Sequence, residues 1–315
     1  MARRLPDRNR FIVYNRIDIQ NAFDFRQAPS MVATSPQKPW TPAFAWVGSG
    51  PTSTHIAVVL HGIWGSGRNL RSFCQGLAAQ LPQWSLLLVD LRNHGESTDA
   101  PAPHTVSACA ADILHLCQHL GIAPCALLGH SFGGKVAMQV LADPWPHLRQ
   151  IIVLDTLPHL RASDDDGPAA IAKVLAALRS VPQPLAQRGD VVPLLLACGL
   201  DTSVAQWMTT NLRADAQGYR FKFDLDGVEA MLQSYFASDS WPLLRQVPPT
   251  ITVDVVRAAL SPRWTPEIVN AFAELPVQVR LHVLADAGHW LHVDNPLGLT
   301  RLMVTLLQPC AAVRP

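Results

Sequence analysis

Charge of one sign is what this chain most clearly lacks. Its 315 residues carry 25 lysines and arginines against 24 aspartates and glutamates, a formal net charge of +1. So balanced a chain has no electrostatic footprint for nucleic acid or for an anionic membrane surface. Long apolar runs are also missing, and none reaches the roughly 20 residues that cross a bilayer. The six cysteines, Cys74, Cys109, Cys117, Cys125, Cys198 and Cys310, show no C-x-x-C spacing. That argues against a zinc site, and because several lie in apolar stretches it predicts buried free thiols in a reducing compartment. There is no internal repeat, no low-complexity tract and no apolar stretch near the start of the kind a secretory signal needs. An intracellular protein is expected, in the cytoplasm or in an organelle such as a chloroplast or mitochondrion. Residues 1–40 are rich in arginine (Arg3, Arg4, Arg8, Arg10, Arg16, Arg26) and lack glutamate. They suit either a targeting segment or an extension without regular order.

What the chain does have is a repeating alternation of apolar runs and helical periods. Apolar runs at residues 56–60, 85–89, 125–129 and 151–154 read as parallel strands buried on both faces. Helices are expected at 67–80, with Leu70, Phe73, Leu77 and Leu81 on one face, and at 105–120, stopped by Gly121. A first possible strand lies at 43–47. Such alternation predicts an α/β fold, a mostly parallel sheet with helices on both faces. From 156 to 249 the pattern changes to helical periods (171–178, 191–196, 204–212, 228–236) with little convincing strand. The expected organisation is therefore an extension at 1–40, a core at 41–155 and 250–315, and a helical cap at 156–249, inserted before the last two strands at 251–256 and 277–284. The acidic run Asp164, Asp165, Asp166 reads as a solvated loop.

The rest of the chain is arranged around Gly129-His130-Ser131-Phe132-Gly133, a G-x-S-x-G at a strand-to-helix corner. A turn that tight holds the serine in a strained backbone conformation and requires glycines where strand and helix approach. The same residues also read G-x-x-x-x-G-K, but Val136 stands where a phosphate-binding loop needs a Ser or Thr hydroxyl. Lys135 is accordingly expected to be a helix residue with its head in solvent.

A serine hydroxyl becomes a nucleophile only with a base and an orienting carboxylate. His289 follows the last strand closely enough for a loop to return it to Ser131. The commonest position for the acid, after the strand 251–256, reads Arg257-Ala258-Ala259-Leu260-Ser261-Pro262-Arg263 and contains no carboxylate. Asp254 lies in mid-strand. Asp155 ends the strand next to the one carrying Ser131, so both face one crevice at the carboxyl edge, and it is favoured over Asp286. For the oxyanion, one donor is expected from Phe132 N–H and the other from Ile63 N–H, with Trp64 N–H as the alternative. Trp64, His130, Trp207, Met231 and Trp290 are candidate pocket residues. Asp112, His115 and His119 share a helix face, but with no further ligand in view a solvated face is preferred to a metal site. Phe221 to Leu225 alternates like an extended segment.

Several segments together resemble the α/β-hydrolase superfamily: His61-Gly62-Ile63-Trp64-Gly65, Val89-Asp90-Leu91-Arg92-Asn93-His94-Gly95, the serine corner itself and Ala287-Gly288-His289-Trp290. More narrowly they are similar to YbfF-like esterases and the related mitochondrial abhydrolase proteins, and Phe223-Asp224-Leu225-Asp226-Gly227 with residues 257–264 resembles the plant and algal version. The resemblance implies a cofactor-free serine hydrolase acting on short acyl esters or thioesters as small-molecule substrates. It also implies an acid after the strand that follows the serine, which is Asp155 here. A cofactor-free perhydrolase or C–C hydrolase, or a weakly catalytic ligand receptor, is the alternative on the same residues. Natural substrate and oligomeric state are not legible.

Overall fold

The apolar runs become the strands of a seven-stranded sheet. The computed structural model describes residues 40–160 and 166–307, all within one unit. In chain order the first strands are β1 (Phe44–Val47), β2 (His55–Leu60), β3 (Trp84–Val89), β4 (Ala126–His130) and β5 (Gln150–Leu154). β6 (Leu212–Asp215) and β7 (Gly218–Phe221) form a separate hairpin, and β8 (Thr252–Ala258) and β9 (Val279–Leu284) complete the main sheet. The order across that sheet is β1-β3-β2-β4-β5-β8-β9. Only β1 pairs antiparallel within it. β3, β4 and β5 are buried along their whole length, which is why they read as continuous apolar runs with no alternation.

The first helices form where the sequence supplies both periodicity and caps. In α1 (Gly67–Gln80) a capping box joins Ser66 and Asn69, and Leu70, Phe73, Cys74 and Leu77 are buried. In α2 (Val106–Leu120) the Thr105 side chain accepts from Ala108 N–H, and Gly121 closes the helix at φ +63°. α3 (Phe132–Gln139) begins immediately after Ser131. Beyond β5 come α4 (Asp166–Ser180), α5 (Val191–Ala197), α6 (Thr202–Met208), α7 (Leu225–Ala237) and α8 (Trp241–Arg245). α9 (Pro266–Ala271), α10 (Leu291–Asp294) and α11 (Pro296–Leu306) are the last helices among the described residues. Two apolar clusters sandwich the sheet. One packs α2 and α3 residues such as Ile113 and Val136 against Val58 and Val153, and the other packs Leu77 and Met303 against Val59 and Ile152. Each fully buried aliphatic side chain contributes about 1.5–3 kcal/mol. Among the described residues no helix is long and apolar enough to cross a membrane.

Several expectations need correction. The segment after β5 is not wholly helical. The period expected over 204–212 ends at Met208, and Leu212 starts the hairpin, whose turn is closed by Asp215 Oδ1 accepting from Gln217 and Gly218 N–H at 2.7 and 3.1 Å. The extended reading of Phe221 to Leu225 stops at Asp224, whose carboxylate caps α7 through Asp226 and Gly227 N–H. Asp112 is not on a solvated face. It is buried and paired to Arg92 through two hydrogen bonds of 2.8 Å, while His115 and His119 are exposed. Lys135 is buried as well, and its Nζ donates to the carbonyls of Pro158, His159 and Ser238 at 3.0–3.1 Å over the Tyr235 ring. Helix α3 runs beneath the segment that leaves β5, so the lysine that the sequence directs to water meets backbone oxygens first. Cys74, Cys109 and Cys117 are buried free thiols and Cys198 is an exposed one, but Cys125 is disulfide-bonded. Residues 1–39, Asp164, Asp165 and Cys310 lie outside the described residues.

Candidate active site

Ser131, Asp155 and His289 each follow the carboxyl end of a parallel strand. Ser131 follows β4 directly, with its N–H still bonded to Leu154 O at 3.0 Å. Its backbone is held at φ +53°, ψ −116°, a sparsely populated conformation costing on the order of 1–3 kcal/mol. The sharp corner leaves no room for side chains beside it. A Cβ on Gly129 would lie 2.1 Å from Gly133 O, and one on Gly133 would lie 2.6 Å from His61 O. The hydroxyl is thereby fixed above the sheet, at the positive end of α3.

His289, five residues beyond β9, returns to that hydroxyl. Its Nε2 lies 3.0 Å from Ser131 Oγ and its Nδ1 lies 2.8 Å from Asp155 Oδ2. Asp155 follows β5 and is fully buried at φ +44°. Four donors converge on its carboxylate: Ala258 N–H at 3.0 Å, Trp264 Nε1–H at 2.7 Å, Ser261 Oγ–H at 2.9 Å and His289. Burial alone would raise its pKa, but the bond from His289 and the other donors outweigh that and hold it at about 2. Nδ1 of His289 therefore carries the proton, and Nε2 faces Ser131 with its lone pair. Burial lowers the pKa of His289, the bond to Asp155 works against this, and the nearby Arg263 guanidinium lowers it further. Asp286 occupies an exposed left-handed turn at φ +53°, and the carboxylate that meets His289 is that of Asp155.

The turn after β2 is set by two buried neutral histidines. His61 accepts Leu91 N–H on Nε2 at 2.9 Å and donates from Nδ1 to Gly62 O at 2.7 Å. His94 accepts Trp64 N–H on Nε2 at 2.9 Å and donates from Nδ1 to Arg92 O at 2.9 Å. Burial lowers their pKa values to about 4 and about 3. Of the two N–H groups expected as the second oxyanion donor, that of Trp64 is thus already bonded to His94. His130 is buried, and its Nε2 donates to His289 O at 2.8 Å, holding the loop that carries His289.

A cavity of about 310 Å³ opens over Ser131. Gly62, Ile63, Trp64, His130 and Phe132 form its floor, and Trp290 and Arg263 stand beside His289. The opposite wall comes from the segment after β5, with Ile171 and Val174 of α4, Trp207 of α6, and Leu232, Tyr235 and Phe236 of α7. Trp64, His130, Trp207 and Trp290 all line it. Met231 does not. One position before Leu232 on α7, it is buried instead in the apolar cluster with Val136 and Leu244. Sequence reasoning missed Ser261, Arg263 and Trp264. The signal was the loop itself, which has no carboxylate but several donors, and so is suited to receiving one from the neighbouring strand.

A family model described as the alpha/beta hydrolase family matches residues 57–301. The chain belongs to the alpha/beta hydrolase family, and it is a hydrolase. Among curated relatives of this alpha/beta hydrolase, the sn-1-specific diacylglycerol lipase ABHD11 of Danio rerio is 29% identical over 256 residues, covering 80% of this chain and 78% of the relative. The esterase YbfF of Escherichia coli is 26% identical over 254 residues, covering 78% of this chain and 89% of the relative. Among solved structures, a marine microorganism esterase aligns at TM-score 0.72 and 23% identity, over 85% of this chain and 100% of that one. That likeness speaks to the fold.

Proposed function

We propose that this hydrolase cleaves short-chain carboxylic esters or thioesters through an acyl-enzyme. The observation that carries the reading is the unbroken chain from Ser131 Oγ through the His289 imidazole to Asp155, with both links at 3.0 Å or less. Nε2 of His289 takes the Ser131 proton as Oγ bonds to the substrate carbonyl carbon. The resulting oxyanion is received by the N–H groups of Phe132 and Ile63, donors of a kind whose loss typically costs about 3–4 kcal/mol of transition-state stabilisation. The carbon–oxygen or carbon–sulfur bond then breaks, and the leaving group takes the proton from Nε2. Water repeats the sequence on the acyl-Ser131 ester and releases the acid. Asp155 keeps the imidazole in the tautomer this requires and stabilises the imidazolium. Nothing in these steps calls on a metal or cofactor. The lipase and esterase names of the relatives agree with an ester as substrate, and the mostly apolar wall supplied by residues 156–249 suits an acyl chain, which gives that segment the role of a cap.

The test is turnover of p-nitrophenyl butyrate together with labelling by a fluorophosphonate probe. Ser131→Ala should lose both, with kcat falling by about 10⁴-fold or more. Equal labelling of wild type and variant would put the nucleophile elsewhere, and an intact wild-type protein that neither labels nor turns over would favour a receptor.

A further inference from the structure

Arg263 is the cavity-lining residue with a permanent charge, in a lining that is otherwise neutral apart from the titratable His289. It is half-buried, and among the described residues no carboxylate lies within ion-pair distance of it. Its Nη1 is nearly equidistant from the two ring nitrogens of His289, 3.0 Å from Nδ1 and 3.2 Å from Nε2. Both nitrogens are already engaged, one with Asp155 and the other with Ser131. The contact is therefore a cation resting against the imidazole, and the remaining guanidinium donors, Nε and Nη2, bond to nothing among the described residues. A guanidinium held in a largely apolar cavity without an anion is unfavourable, and its planar fork matches a carboxylate in two hydrogen bonds.

Its position also indicates which half of a substrate would supply that carboxylate. Nε2 of His289 hands its proton to the leaving group, so the group nearest Arg263 is the leaving group. When the imidazolium forms, the adjacent guanidinium opposes it. An anion bound to Arg263 would relieve that repulsion in the step where it is greatest.

Building on the esterase reading above, we propose that Arg263 selects esters whose alcohol half carries a carboxylate close to the ester oxygen, that is, acylated hydroxy acids. The products are the free acid and the hydroxy carboxylate. The charge balance acts during turnover, so the preference appears in kcat as well as in KM.

The experiment compares butyryloxyacetate with its neutral isostere butyryloxyacetamide, following butyrate release. Wild type should favour the anion by about 10- to 100-fold in kcat/KM, the range of one charge-assisted bidentate contact. Arg263→Gln should collapse that ratio to about one, and Arg263→Lys should keep part of it. Equal losses on both esters in Arg263→Gln, or no wild-type preference, would overturn the proposal in favour of a guanidinium that only balances Asp155. A preference seen only for monomethyl glutarate over methyl pentanoate would overturn the leaving-group assignment. Calorimetry on Ser131→Ala keeps the two readings apart. If no ester is turned over, the esterase reading fails. Tighter binding of butyryloxyacetate than of its amide, erased by adding Arg263→Gln, would still support the carboxylate site, and equal binding would overturn it.

Discussion

The two walls of the cavity are built by different means. On the sheet side directional bonds hold the side chains around Ser131: Asp155 receives four donors, His61 and His94 each bridge two backbone groups, and His130 holds the His289 carbonyl. On the side of residues 156–249 the lining is mostly apolar, and it is held by packing and by a few bonds outside the cavity, from Lys135 Nζ, from Asn211 Nδ2 to Trp64 O and from Val106 N–H to Ser234 Oγ. Directional bonds fix atoms to a few tenths of an ångström, as bond making requires, whereas apolar contacts fix a surface and tolerate exchange of its members. On the function proposed above, the first wall serves the chemistry and the second the choice of substrate shape.

That contrast can be broken most severely at Asp155. Asp155→Asn should lower kcat by about 10⁴-fold, by analogy with serine proteases, while Asp286→Asn should leave it near wild type. A crippled Asp286→Asn enzyme would reverse the assignment of the acid. The next test is pH. His61 and His94 are folded as neutral rings with pKa values lowered to about 4 and about 3, so the unfolded chain binds more protons between there and pH 6.5. Their contribution is fully present above pH 6.5 and is lost as the pH falls. Urea unfolding at pH 5 against pH 7 should show a loss on the order of 2 kcal/mol per histidine, and Ser131→Ala should lose the same amount. Activity should in addition fall on the acid side at a pH below 6.5, because the pKa of His289 is lowered.

Lys135→Met sharpens the comparison from the other wall. It removes a donor from three carbonyls and should cost about 2 kcal/mol in chemical denaturation, with a weaker effect on p-nitrophenyl butyrate turnover than Asp155→Asn. The smallest effect is expected from Trp207→Ala, which should move the preferred acyl length in a p-nitrophenyl ester series and change kcat/KM for the best substrate by less than about tenfold. A loss as large as that of Asp155→Asn would mean that both walls take part in the chemistry.

The same division explains what was legible in the sequence. The sheet could be read because strands buried on both faces leave continuous apolar runs. The serine corner could be read because a Cβ on Gly129 or Gly133 would lie only 2.1 or 2.6 Å from a backbone oxygen, so the turn requires glycine there. Asp155 and His289 followed from where their strands end. The hairpin of β6 and β7 was not legible, because each of its four-residue strands buries only one side chain, Leu212 and Phe221, and its register is set by one turn at Asp215 and Gly218. Met231 and Leu232 are both apolar neighbours on α7, and only the packing decides which of them meets the cavity. Lys135 and Asp112 were misassigned to water because partners distant in the sequence, or presented by the backbone, leave no local mark. The loop 257–264 was read for the carboxylate it lacks, when its donors were the informative feature.

The ammonium of Lys135 gathers carbonyls from both ends of the segment that roofs the cavity, Pro158 and His159 where it departs and Ser238 where α7 finishes. Ser240 N–H closes the same junction on Pro158 O at 2.8 Å. The segment is moored elsewhere as well: Asn211 Nδ2 donates to Trp64 O at 2.8 Å, Ser234 Oγ accepts from Val106 N–H at 3.0 Å, and Lys222 pairs with Glu96 at 2.6 Å. With Trp207 meeting Trp290 edge to face at 4.8 Å between ring centres, the contacts lie on several sides of the cavity, so any opening has to break a polar bond or part an aromatic pair.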